Sequence, residues 1–252
     1  MQIVNKIITG LSYLNSPSKR KLIMFARQLN NHYGLEIGGP SSILRVKGIF
    51  PVYIYAQKID GVNFSDNTIW EGKLEAGNTY NYFGHFNGYQ YIAEATDLHM
   101  IETNKYDFLL SSHSLEHTAN PIKALKEWNR VLKNNGKIVL VLPDKENTFD
   151  NKRQYTSFVH LLDDYNNDVK EDDQTHIEEI LQLHDYSRDN TVDKVKFAER
   201  LKENLLHRSA HHHVFSLTLI SQVLEFVGFK ILYQQKSKPF HLVTIAQKTN
   251  VS

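Results

Sequence analysis

The chain predicts an α/β fold: a doubly wound, mainly parallel sheet with an antiparallel C-terminal strand and a helical insertion. Three observations predict it. Short apolar runs alternate with helical periodicity from Gly34 to Pro143. Two apolar runs near the C-terminus, Phe229 to Tyr233 and His241 to Ala246, flank Lys236 to Pro239 as a hairpin. Between Asp144 and His213 the pattern turns polar, charged and helical, with no convincing strand.

In order along the chain, residues 11 to 31 place Leu22, Phe25, Ala26 and Leu29 at helical spacing behind Pro17 and Ser18, so residues 1–33 read as a helical N-terminal cap. Gly34 to Ile37 is a short buried strand that turns at Gly38, Gly39 and Pro40, and a second strand should end near Asp60. Residues 61 to 90, rich in Gly, Asn and Tyr, read as an irregular excursion. Tyr91 to Ala95, Phe108 to Ser111 and Lys137 to Leu142 are three further strands, the last two flanking a helix from Pro121 to Leu132 that stops at Asn134, Asn135 and Gly136. The organisation is thus a core over 34–145, a lid or substrate insertion over 146–213, and a C-terminal helix with hairpin over 214–252 that completes the core.

Composition narrows the function classes. A formal net charge of +1 provides no global field for nucleic acid or an anionic membrane. The absence of cysteine excludes disulfides, thiolate metal sites and a cysteine nucleophile, leaving oxygen and imidazole chemistry. No apolar run reaches the ~20 residues of a membrane span, and the first residues lack a cleavable-signal pattern, so the expected location is the cytoplasm. Thirteen histidines, five of them between His184 and His213 with His160 and His176 just before, call for an explanation.

Ligands of such a sheet bind beyond the carboxyl ends of its strands, where the strand order reverses. In LEIGGPSS, Glu36 lies near a strand end, while Gly38 and Gly39 leave room for a ligand against the backbone; a plain turn is the alternative. Asp60 follows at the roughly twenty-residue distance of an acid that accepts ribose hydroxyls. In ATDL, Asp97 can accept from an adenine amine while Leu98 covers the ring, or it caps a helix.

The longest signal is YDFLLSSHSLEHTANPIKALKEWNRVLKNNGKIVLVLP, Tyr106 to Pro143. It resembles the class I S-adenosylmethionine-dependent methyltransferases, in particular their small-molecule (type 11-like) branch, through Tyr106, Asp107, Leu115, Glu116, His117, Arg130, Val131, Leu132, Lys133 and Gly136. The resemblance covers Gly34 to Pro143 and the C-terminal strands but not the insertion. It departs at GGPSS, which replaces a three-glycine loop, and in the shortness of the helix that should follow. The resemblance implies a Rossmann-like core with S-adenosylmethionine as cofactor. Glu36, Gly38 and Gly39 would border the methionine part, Asp60 with Gly61 the ribose, Asp97 and Leu98 the adenine, and Ser111, Ser112 and His113 the floor beneath the sulfonium.

LEIGGPS, DGVNFS, TIWEG, LEHTANP, TFDNKR and HHHVF together resemble methyltransferases encoded with bacterial surface-polysaccharide genes. The implied acceptor is a sugar, nucleotide sugar or phosphorylated precursor, methylated on oxygen. Candidate general bases are His117, just past a strand end, and the insertion histidines His160 and His212. His160 with Asp164, and His176 with Glu179, share helix faces; with His184 and His211 to His213 they are able to bind a divalent ion, or to be hydrogen-bonded histidines at a seam. Lys152, Arg153 and Arg208 are candidates for holding an anionic acceptor. The rival classes are a nicotinamide-dependent oxidoreductase, disfavoured by the missing GxGxxG, and a catalytically inactive cofactor-binding partner subunit.

Overall fold

A computed structural model describes residues 17–84, 87–189 and 193–249. The expected N-terminal cap is helix α1 (Arg20–Gln28), preceded by a 3-10 turn from Pro17; its first part, residues 1–16, lies outside the described residues. Strands β1 (Tyr33–Ile37) and β2 (Lys58–Asn63) follow. Only two 3-10 turns, Ser42–Leu44 and Val52–Ile54, stand between them, in keeping with the short helix read there.

The excursion after β2 is more regular than its composition implied. It contains the small hairpin β3 (Asn67–Thr68) and β4 (Gly72–Lys73), then β5 (Gly77–Asn81), which pairs antiparallel with β6 (Asn87–Ile92) and becomes an edge of the main sheet. The alternation test fails in this segment because glycines and asparagines carry the strand through backbone pairing rather than side-chain burial. Next come β7 (Tyr106–Ser112), α2 (Pro121–Val131) and β8 (Leu132–Pro143). The insertion supplies α3 (Phe158–Asn166), α4 (Ile177–Leu183) and α5 (Lys194–Lys202); α6 (Leu217–Phe226), β9 (Phe229–Ser237) and β10 (His241–Lys248) close the chain.

The eight-stranded sheet runs β5-β6-β2-β1-β7-β8-β10-β9. Strands β6, β2, β1, β7 and β8 are parallel, and β10 pairs antiparallel with both β8 and β9. The order reverses between β1 and β7, where a ligand crevice is expected.

Period-two alternation builds a core on each face. Leu109, Ile138, Leu140 and Leu142 point to one side and join Leu125 and Trp128 of α2 and Leu219 and Ile220 of α6. Phe108, Leu110, Val139 and Val141 point to the other and meet Leu22 and Ala26 of α1. Trp128 is fully buried and donates its Nε1 hydrogen to the Ala95 carbonyl at 2.9 Å, so this tryptophan fills core.

Helix starts follow local chemistry. The Asn120 side chain accepts from Lys123 N (3.0 Å) with Pro121 at the first helical position of α2; Ser157 and Ser216 cap α3 and α6 in the same way. No helix among the described residues is long and apolar enough to cross a membrane.

Candidate active site

The carboxyl ends of five neighbouring strands open into one cavity of about 850 Å³. Its floor is made by the residues that end or follow the strands: Ile37 and Gly38 after β1, Asn63 and Phe64 after β2, Ala93 to Ala95 after β6, Ser112 to Ser114 after β7. The insertion forms the opposite wall with Phe149, Arg188, Arg200, Arg208 and His211.

Gly38 shows why the β1 turn needs glycine. Its φ is +70°, and a Cβ there would lie 2.2 Å from Ser114 Oγ. The loop is held from beneath by Glu36, which is fully buried and accepts from Tyr80 Oη (2.7 Å), Tyr53 Oη (2.8 Å) and the Ser41 amide (3.0 Å). Burial raises its carboxyl to about 7 against these donors, which pull it down. Glu36 therefore shapes the loop and does not line the cavity.

The structure separates the sequence-predicted residues. Gly38, Ser112 and His113 line the cavity; Gly39, Asp60, Gly61, Asp97, Leu98 and Ser111 do not. Asp60 is mid-strand because β2 runs on to Asn63, and its buried carboxylate accepts from Tyr33 Oη, from Tyr106 Oη at 2.9 Å and from the Tyr89 amide at 2.8 Å. Gly61 beside it sits under the Tyr80 ring, which a Cβ would meet at 2.2 Å. Asn63 occupies the strand end instead and donates to the Gly39 carbonyl at 3.1 Å.

Strand β6, by contrast, ends early, at Ile92, so Glu94 takes the cavity position. Asp97 is carried to an exposed groove beside Lys123 and Arg130, and Leu98 into the core. Ser111 points away from Ser112 by strand alternation and is buried with its hydroxyl unpartnered. Sequence reasoning did not name Asn63 and Glu94 as cavity residues; the signal that could have found them was strand length, since Asn63 is the last paired residue of β2 and Glu94 comes two residues after β6 ends.

His113 leaves β7 in a left-handed conformation (φ 53°), a costly geometry for a residue with a Cβ, and its Nε2 meets His241 Nδ1 at 2.9 Å. Of the three predicted bases, only His117 lines the cavity. Its Nδ1 donates to the Ala210 carbonyl (3.0 Å), and burial lowers it to about 4, so it is a neutral imidazole. His212 is buried against Asn204 (3.1 Å) and His160 lies on α3; neither reaches the cavity.

His211, which the sequence offered only as a possible metal ligand and not as a base, also lines the cavity. Its Nδ1 lies 2.6 Å from Asp150 Oδ2, with Asp150 buried and anchored by Arg153 (3.1 Å). Burial opposes protonation of His211, but Asp150 outweighs it and holds the imidazole above its ordinary range. Arg153 is committed to this support, bonding also to the His211 carbonyl at 2.7 Å. Arg208 pairs with Glu94 and Glu171, whereas Arg200 brings a buried Nε with no hydrogen-bond partner. Trp70 stands at the mouth, its ring 5.9 Å from His117.

Residues 49–140 match the family model described as a methyltransferase domain. Those residues thus resemble a methyltransferase domain. The match starts downstream of Gly38, where the GGPSS loop departs from the expected pattern. Solved structures of similar fold include a methyltransferase dependent on S-adenosylmethionine from Aquifex aeolicus, with 14% identity, a TM-score of 0.50, and 96% and 97% of this chain and of that chain covered. A second, from Mesorhizobium loti, has 11% identity and a TM-score of 0.52, covering 92% and 96%. A third is the 1,6-didemethyltoxoflavin-N1-methyltransferase of Burkholderia thailandensis with bound S-adenosylhomocysteine, at 11% identity and a TM-score of 0.51, covering 98% and 88%. No curated protein matches the chain.

The match over residues 49–140 and the Rossmann-like sheet support an enzyme, with S-adenosylmethionine as the cofactor they favour. The residues present fit that group. A cavity with apolar walls at Ile37, Val62, Phe64 and Ala93, and polar groups at successive strand ends, suits a nucleoside joined to an amino acid.

Proposed function

We propose that this methyltransferase methylates a hydroxyl of a small, anionic polar acceptor, of the sugar-phosphate or nucleotide-sugar class, with His211 as general base. The observation that carries the reading is the Asp150–His211 pair on the cavity wall facing the strand ends. A carboxylate on Nδ1 fixes the tautomer and leaves Nε2 to accept a proton.

When bound, S-adenosylmethionine supplies a methyl group already activated on a sulfonium. The protein's work is alignment and removal of one proton. Asn63, with its amide nitrogen engaged by Gly39, would offer its carbonyl oxygen to a ribose hydroxyl; Glu94, flanked by Ala93 and Ala95, would accept from the adenine amine; Gly38 and Ser112 would border the methionine part. His211 Nε2 takes the acceptor's hydroxyl proton as Asp150 stabilises the imidazolium. Arg200 and Arg188 on the insertion wall hold the acceptor's anionic group. The resemblance of six segments to methyltransferases of surface-polysaccharide gene clusters supports a sugar acceptor, and TFDNKR and HHHVF contain the two members of the pair.

A second reading has a specific observation behind it. Glu116, His117 and His211 bring one possible ligand atom each within 4.8 Å of one another, and both Glu116 carboxylate oxygens are buried with no hydrogen-bond partner, His113 Nδ1 standing off at 3.5 Å. A divalent ion there would orient the acceptor oxygen directly.

The test is methyl transfer to a panel of nucleotide sugars and sugar phosphates, read by mass spectrometry, with the wild type, His211→Gln and Asp150→Asn, before and after chelation. Transfer lost in both variants and indifferent to chelator supports the base; transfer lost on chelation and restored by a divalent ion supports the second reading.

A further inference from the structure

The insertion holds a second histidine cluster that takes no part in the cavity. His160 and Asp164 lie one turn apart on α3, His176 immediately precedes α4, and His213 ends the segment that carries His211. The three imidazoles bring one ring nitrogen each within 4.8 Å of one another. His160 Nε2 is 3.2 Å from His176 Nε2; Asp164 Oδ2 is 3.4 Å from His160 Nε2 and 3.7 Å from His213 Nε2.

The His160–His176 and His160–Asp164 separations match those of neighbouring ligands in a coordination polyhedron. Ligands about 2.0–2.1 Å from a tetrahedral zinc ion stand about 3.3 Å apart. Hydrogen bonding within the cluster leaves it unsatisfied: Asp164 Oδ2 is buried with no hydrogen-bond partner, as is His213 Nδ1. His213 Nε2 lies 3.2 Å from the Ala119 carbonyl, the kind of contact that orients an imidazole through one nitrogen and leaves the other, here the unpartnered Nδ1, to ligate. A buried carboxylate oxygen without a donor is expensive unless a cation completes it.

We propose that His160, Asp164, His176 and His213 form a structural site for a divalent transition metal, zinc by its nitrogen-rich, four-ligand, oxygen-poor donor set. The site fastens α3, the start of α4 and the 211–213 segment to one another. The ion thereby fixes the backbone that presents His211 to the cavity, without touching a substrate. It differs from the cavity trio of Glu116, His117 and His211, which shares no residue with it.

The test uses the full chain carrying no affinity histidines, purified with zinc present and then desalted. Elemental analysis should give one zinc per chain, cobalt loading should give the intense visible bands of a tetrahedral centre, and chelation should lower the Tm by several degrees, restored by zinc. His176→Ala and the half-exposed His160→Ala should each weaken zinc affinity more than tenfold, whereas Glu116→Gln should leave the ion bound. Absence of metal after zinc loading, with a Tm indifferent to chelator, would overturn the proposal. So would an ion that Glu116→Gln removes and that His160→Ala and His176→Ala both retain, because it would belong to the cavity.

Discussion

Asp150 Oδ2 and His211 Nδ1 stand 2.6 Å apart, although 61 residues separate them in the chain. The pair joins the turn after β8 to the segment before α6, so both ends of the insertion meet at the cavity wall. A carboxylate and an imidazole held this closely form a charge-assisted bond that orients the ring.

From that relationship, His211→Gln should lower kcat by about 10²- to 10⁴-fold, the usual contribution of a positioned base. Asp150→Asn should lower it by a comparable factor, because the ring loses its tautomer and its counter-charge. Titration with S-adenosylhomocysteine should show near wild-type affinity in both variants. A loss confined to donor affinity would remove His211 from the chemistry.

Asn63→Ala and Glu94→Gln should weaken S-adenosylhomocysteine binding by about tenfold each, the loss of roughly one net hydrogen bond to a partly enclosed ligand. Asp60→Ala should act differently. It deprives the buried Tyr106 hydroxyl and the Tyr89 amide of their acceptor and should cost about 1–3 kcal/mol of stability per unsatisfied group, read as a lower urea midpoint.

Glu36 ties stability to pH. Its carboxyl sits near 7 in the folded chain against 4.5 unperturbed, so the folded state holds the proton more tightly than the unfolded one. Stability from this group is complete below about 4.5, falls as pH rises towards 7, and is flat above; the loss is ~3 kcal/mol. Urea unfolding of Glu36→Gln, which carries no titrating group, should gain on the wild type between pH 5 and pH 8. An unchanged difference across that range would contradict the assignment.

Arg200→Ala should raise KM for a phosphate-bearing acceptor about tenfold or more with little change in donor affinity, as expected for loss of one charge-assisted contact. Equal effects on neutral and anionic acceptors would place Arg200 outside the acceptor contacts.

The fold was legible because its signals are local. Buried runs such as Phe108 to Ser111 and Lys137 to Leu142, the Asn120–Pro121 start of α2 and the Gly136 stop each act within a few residues, and they order a parallel sheet. The site was legible only in part. Asp60 satisfied a spacing rule, yet three more paired residues of β2 carried the chain to Asn63 before it turned. Asp97 likewise missed the cavity because β6 ended at Ile92. Strand ends are set by pairing with neighbours, which periodicity does not reveal. His117 reaches the cavity because it follows a strand end, while His211 could not be told from His212 and His213: three adjacent imidazoles point in different directions, and only Asp150, far away in sequence, distinguishes one.

The most direct measurement is calorimetric titration of the purified protein with S-adenosylhomocysteine, alongside Asn63→Ala and Asp60→Ala at a temperature where both remain folded. Saturable binding that Asn63→Ala weakens and Asp60→Ala leaves close to wild type is the predicted result, since Asn63 ends β2 in the cavity and Asp60 is locked within the sheet. Absence of binding at millimolar ligand, or binding that depends on Asp60 and not on Asn63, would contradict a donor site built from these strand ends.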